Sequence, residues 1–189
     1  MKAIIFDCFG VLVEGSLDPM CEKYFPNDPI KRREVLDLEA RASRGELTYG
    51  EFLQTCGEWA NVDPAEIEAF LDVNPRNEPL LNFIATELKG KYKLGFLSNA
   101  ADDWMEELFT KDHIALFDDV ILSFQHGISK PDVKIFELAA ERLGVHTTDC
   151  LFIDDVARYC EGARQTGMKT IQYIDVDQTI KQIKEELIK

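Results

Sequence analysis

In four places an apolar run of this chain ends in side chains that can do chemistry. Ala3 to Leu12 is apolar but for Asp7 and Gly10, and Lys93 to Leu97 ends in Ser98-Asn99. Asp119 to Leu122 leads through Ser123 to Lys130-Pro131, and Cys150 to Ile153 ends in Asp154-Asp155. Runs bounded this way read as buried strands of an open parallel sheet, and such sheets bind ligands beyond the carboxyl ends of their strands. Asp7 therefore stands where a catalytic carboxylate belongs, although the same residue can simply start a turn before Gly10. Two adjacent carboxylates at a buried strand end repel each other, which makes Asp154 with Asp155 a candidate cation site; the alternative is an acidic start to the next helix. Ser98 and Asn99 can hydrogen-bond a phosphoryl oxygen or cap a helix beginning near Ala101, and Lys130 can neutralise the same anion.

In this order the residues resemble the haloacid dehalogenase-like hydrolase superfamily, whose ordered motifs are a strand-end Asp nucleophile, a Ser or Thr, a Lys and an acidic pair. The resemblance implies that Asp7 attacks phosphorus to give an aspartyl-phosphate and that Ser98, Asn99 and Lys130 bind the phosphoryl group of a small phosphorylated metabolite. It also implies a Mg²⁺ held by Asp7, Asp155 and the backbone carbonyl of Phe9, with Asp154 direct or through water. Most of the family's phosphatases carry a second Asp where this chain has Phe9; that Asp protonates the leaving group and then activates water. General acid–base help is typically worth ~10²–10⁴-fold, so leaving groups that need no proton, such as those of acyl and aryl phosphates, should suffer least. Glu14 and His126 are candidates to substitute for that Asp, although each also reads as an ordinary loop residue.

An aromatic residue at position 9 is also similar to the superfamily's dehalogenases, which attack carbon without a metal but lack the tandem acidic pair. A third reading is a catalytically quiet relative that binds a phosphorylated ligand or a partner. Tyr159 stands where many relatives have Asn. Strand alternation puts Cys8 on the opposite sheet face from Asp7, which removes it as a nucleophile.

The elements that must position these groups alternate strand and helix, which predicts an α/β doubly wound parallel sheet with right-handed crossovers. The core is predicted at 1–14 and 78–189, with an all-helical cap at 15–77 inserted after the first strand. Val11 to Gly15 reads as an extended segment leaving the sheet. Within the insert, Asp28-Pro29 and Asp63-Pro64 are helix starts, and Thr48 with Glu51 fits a capping box. Arg41 and Arg44 read as a solvated helix face, with a grip on the substrate as the alternative. Asn74 to Asn77 breaks the periodicity as a return linker, before a helix carrying Leu80, Leu81, Ile84, Ala85 and Leu88. Further helices are expected over Asp102–Thr110, Pro131–Leu143, Ala157–Thr166 and Gln178–Leu187, with a fifth strand over Lys169–Ile174.

Composition bounds the rest. The 189 residues are 46% apolar, enough for a packed core, and no apolar run is long enough to span a bilayer. A net charge of −14 argues against nucleic acid or an anionic membrane as partner, and means that an anionic substrate needs local compensation. Met1-Lys2 and the short run broken by Asp7 lack the features of a signal peptide, and the five cysteines show no metal-like spacing, so a reducing, cytoplasmic location is expected.

Overall fold

The first strand, β1 (Ala3–Phe6), is buried at every position, because helices cover both faces of the sheet it centres. The computed structural model describes residues 1–188. It contains a parallel sheet in the order β3-β2-β1-β4-β5, formed with β2 (Lys93–Ser98), β3 (Asp119–Leu122), β4 (Cys150–Asp154) and β5 (Lys169–Gln172). Phe6 is in register with Phe96 on one side and Ile153 on the other, so the residues that follow all three strands emerge along one edge.

Alternation along β1 divides the core. Ile4 and Phe6 pack with Leu80, Leu81 and Phe83 of α5 (Glu78–Phe83), with Ile84 and Leu88 of the π-helical turn that continues it, and with Ile183 of α10 (Val176–Ile188). Ala3 and Ile5 pack instead with Ile135, Phe136 and Ala139 of α8 (Val133–Arg142) and with Ala163 of α9 (Ala157–Gln165). Cys8 belongs to the first of these layers, on the face opposite Asp7.

The insert comprises α1 (Leu17–Tyr24), α2 (Pro29–Ala42), α3 (Tyr49–Ala60) and α4 (Pro64–Leu71), which bury Met20, Val35, Leu38, Phe52, Cys56 and Ile67 against one another. Asp28 and Asp63 cap α2 and α4 with proline in the first turn, and Thr48 with Glu51 forms the capping box of α3. The chain enters and leaves the insert through one antiparallel contact: Glu14 N donates to Pro75 O at 2.9 Å and Asn77 N to Leu12 O at 2.8 Å.

Three local expectations are corrected. The segment after β1 is a tight turn before it is extended: Val11, Leu12 and Val13 all donate their N–H to the Cys8 carbonyl. Its apolar residues suit a buried turn as well as a strand. Instead of one helix over Asp102–Thr110 there are two single turns, α6 (Met105–Leu108) and α7 (Lys111–Ile114), because Phe109 takes an extended conformation that lays its ring edge-on to Phe96. Strand β5 stops at Gln172 rather than Ile174.

Asn77 joins the sheet, the insert's exit and the next helix. Its Nδ2 donates to Val11 O and to the Tyr173 hydroxyl, each at 2.9 Å, while Oδ1 accepts from Leu80 N at the start of α5. Replacing it by Ala removes a cap and leaves a half-buried carbonyl unmatched, so urea unfolding should show a loss of about 2 kcal/mol. Asn77→Asp, which keeps the cap acceptor, should recover about half of that; an unchanged Asn77→Ala midpoint would refute this role.

Candidate active site

At the carboxyl edge of the sheet one ammonium is shared by two carboxylates. Lys130 Nζ lies 2.6 Å from Asp7 Oδ1 and 2.6 Å from Asp154 Oδ2, and all three side chains are buried. Asp154 Oδ1 accepts from Val156 N at 2.8 Å, so the approach to α9 begins on that carboxylate. Asp155 adds a third carboxyl: ligand oxygens of Asp7, Asp154 and Asp155 lie within 4.8 Å of one another. Asp155 Oδ1 is a buried oxygen with no hydrogen-bond partner.

Backbone geometry makes this crowding possible. Gly10 has φ +85°, and a Cβ there would stand 2.5 Å from the Asp155 carboxyl carbon, so only glycine lets the turn after β1 approach the acidic pair. A Cβ on Gly162 of α9 would meet the Pro131 carbonyl at 2.5 Å; its absence lets α9 press on the segment that carries Lys130. Asn99 grips the backbone of the same residue from both sides. Its Oδ1 accepts from Lys130 N at 2.8 Å and its Nδ2 donates to Lys130 O at 3.1 Å. The rings of Tyr159 and Phe152 lie 5.0 and 5.5 Å from the ammonium and favour its charge.

The charges do not balance within this group. Burial, and then the charge of Asp154, push the Asp7 carboxyl well above the usual carboxylate range, and Lys130 offsets this only in part. The same causes raise Asp155 to about 6. Lys130 is held protonated by Asp154 and Asp7, which outweigh the opposing effect of its burial. Three carboxyls around one ammonium form an oxygen-rich, electron-rich pocket with a free oxygen on Asp155, which suits a hard divalent cation. Burial raises the Cys8 thiol well above its usual range, so it stays protonated.

The structure brings together Asp7, Lys130, Asp154 and Asp155, with Asn99 holding Lys130. Ser98 ends the neighbouring strand; its buried Oγ donates to Asn99 O at 3.2 Å, and no helix begins at Ala101 for it to cap. The Phe9 carbonyl is left free by the turn, whose hydrogen bonds use the carbonyls of Cys8 and Val13. The Phe9 ring packs edge-on to Trp104 at 4.8 Å. Both rings line a cavity of about 520 Å³ between insert and sheet edge, which Asn99 and Glu39 also line. Glu14 is exposed, and neither it nor His126 lines that cavity. Arg41 and Arg44 both pair with Glu46; Arg41 is exposed and Arg44 half-buried, and neither lines the cavity. Sequence reasoning passed over Glu39, although a carboxylate at helical spacing from Val35 and Ala42 on an otherwise apolar face is a visible signal.

Lys130→Met should lower the unfolding free energy by ~3–5 kcal/mol at pH 8, since it strands two buried carboxylates. A carboxyl whose pKa is raised by folding favours the fold at low pH and opposes it as pH rises, so for Asp7 the deficit should shrink at pH 5. A pH-independent deficit in urea unfolding would contradict the shared-ammonium arrangement.

Residues 1–167 match the haloacid dehalogenase-like hydrolase family. The chain is 54% identical over 52 residues to phosphatase MT3486 of Mycobacterium tuberculosis, a match covering 27% of this chain and 24% of that protein. It is 23% identical to bifunctional epoxide hydrolase 2 of Sus scrofa over 97% of this chain, but spans only 38% of that protein's length. A HAD family enzyme of Bacteroides thetaiotaomicron, solved with magnesium and inorganic phosphate, superposes with a TM-score of 0.74 at 23% identity, over 95% of this chain and 98% of that one. Among the described residues no helix is long and apolar enough to cross a membrane. With the match covering nearly all of the chain and the parallel sheet agreeing with it, the protein belongs to the haloacid dehalogenase-like hydrolase family.

Proposed function

We propose that this chain is a Mg²⁺-dependent phosphohydrolase acting on a small phosphorylated metabolite through an aspartyl-phosphate at Asp7. The observation that carries the reading is the buried cluster of Asp7, Asp154 and Asp155 sharing the single ammonium of Lys130 while Asp155 keeps an unmatched oxygen. The HAD family enzyme of Bacteroides thetaiotaomicron, solved in complex with magnesium and inorganic phosphate, supports the choice of ion. Asp7, Asp155 and the Phe9 carbonyl would hold it, with Asp154 direct or through water. Once bound, the ion supplies charge that lets a carboxylate approach a phosphate dianion.

The chain's own groups do the rest. Asp7 attacks phosphorus as the bond to the leaving oxygen breaks, and Lys130 neutralises charge on the transferring group. Asn99 keeps Lys130 in place, and Ser98, at the carboxyl end of the adjacent strand, would turn its hydroxyl from the Asn99 carbonyl to a phosphoryl oxygen. The cavity above holds the leaving part of the substrate. Its aromatic lining is rimmed by Glu68, Asp72, Asp102, Asp103 and Glu107, and no Lys or Arg among the described residues lines it. That field favours a neutral or cationic leaving group over one bearing a second anion.

Turnover of acetyl phosphate and p-nitrophenyl phosphate should require Mg²⁺, and Asp7→Asn should lower kcat by about three orders of magnitude or more. Mg²⁺ should also raise Tm, by less as pH falls through about 6, where Asp155 takes up a proton that competes with the ion. Undiminished rates in chelator, or halide release from 2-haloacids without metal, would overturn the reading in favour of attack at carbon. Binding of phosphate without turnover would favour a quiet ligand-binding relative.

A further inference from the structure

We propose that Glu39, reaching from α2 into the cavity, is the general acid that protonates the leaving group in place of the residue that Phe9 cannot supply. The proposal rests on the phosphohydrolase reading above. Glu39 lines the same cavity as Phe9 and Asn99, and it is half-buried, whereas the other carboxylates around that cavity stand exposed at its rim. Asn99, which lines the cavity with Glu39, holds the backbone of Lys130, so the cavity that Glu39 enters opens beside the residue that carries the lysine.

The position is fixed by a latch between insert and core. Ser43 Oγ donates to Glu39 Oε1, and the Ser43 carbonyl accepts from Ser123 Oγ at 2.5 Å. Ser123 Oγ in turn accepts from Ala100 N at 3.0 Å, and both serines are fully buried. The end of α2 is thereby tied to the carboxyl ends of β2 and β3, where the reacting groups lie. Burial raises the Glu39 carboxyl above its usual range, against the lowering effects of Ser43, Arg158, Lys130 and Arg44, which moves it toward the protonated state an acid needs.

In the step proposed, Asp7 forms the new bond to phosphorus, the bond from phosphorus to the leaving oxygen breaks, and the Glu39 proton passes to that oxygen. Water then attacks the aspartyl-phosphate, phosphate leaves Asp7, and the proton lost by water returns to Glu39. No oxidant or other reactant is needed.

Single-turnover phosphorylation of Asp7, followed by acid quench with alkyl, aryl and acyl phosphates, tests this in wild type and Glu39→Gln. The alkyl rate should fall by ~10²–10⁴-fold and lose its pH dependence, while the acetyl phosphate rate changes less than about threefold. Phe9→Asp added to Glu39→Gln should restore alkyl turnover. Glu39→Asp, which keeps the charge but withdraws the carboxyl, should show the same split if Glu39→Gln does not fold. An equal fall for every substrate, or no fall for alkyl esters, overturns the proposal while leaving the phosphohydrolase reading in place. Wild type that phosphorylates from no substrate in Mg²⁺ overturns both.

Discussion

A buried ammonium that must serve several carboxylates constrains most of this molecule. Lys130 lies at 2.6 Å from both Asp7 and Asp154, and Asp155 crowds the same space. Charges so placed in a low-dielectric site are tolerable only when their positions are fixed and their remaining lone pairs are matched. The parallel sheet meets the first requirement by bringing β1 and β4 side by side in register, so that consecutive carboxylates emerge at one level. The second is met for Asp154 by the Val156 amide but not for Asp155, whose Oδ1 is left buried without a partner beside the other two carboxyls.

The packing around the site follows from the same constraint. Gly10 and Gly162 are the places where a single methyl would force apart segments that must touch. Asn99 spends both halves of its amide on one residue's backbone, a use that makes sense only if the direction of Lys130 matters. Tyr159 closes the arrangement from α9, its ring beside the ammonium and its hydroxyl accepting from Asn99 and Arg158. A departure from the pattern of many relatives thus has a structural use here.

The helical insert encloses this centre from one side. Its own core is separate from the two layers on the sheet, and its entry and exit strands are paired, so it sits over the sheet edge with few covalent routes for slack. Ser43 and Ser123 add a polar tie between the end of α2 and the carboxyl end of β3. Between them lies a cavity with aromatic walls and an acidic rim, in a protein already carrying a net charge of −14. The ammonium of Lys130 at the sheet edge is the local positive charge set against this negative field.

Much of this was legible in the residues, and what was not has physical reasons. Asp7, Asp154 and Asp155 were visible because a polar residue ending an apolar strand in a parallel sheet has one place to go, whereas Lys130 lies eight residues beyond the end of β3 and was legible only from its order among the motifs. The turn after Phe6 was hidden, since Cys8, Val11, Leu12 and Val13 are as apolar in a buried turn as in a strand. The break between α6 and α7 was hidden because it is set by a distant ring, Phe96, to which Phe109 must turn. Ser98 and Asn99 suggested a helix cap from local chemistry alone, and tertiary demand assigned Asn99 to Lys130 instead.

The most direct measurement is a crystal structure of the protein soaked with Mg²⁺ and beryllofluoride, which mimics a phosphoryl group bonded to a carboxylate. Beryllium bonded to Asp7, Mg²⁺ touching Asp155 and the Phe9 carbonyl, and Lys130 on a fluoride are the predicted result. Metal bound away from the three aspartates, or beryllofluoride on any other residue, would contradict the account.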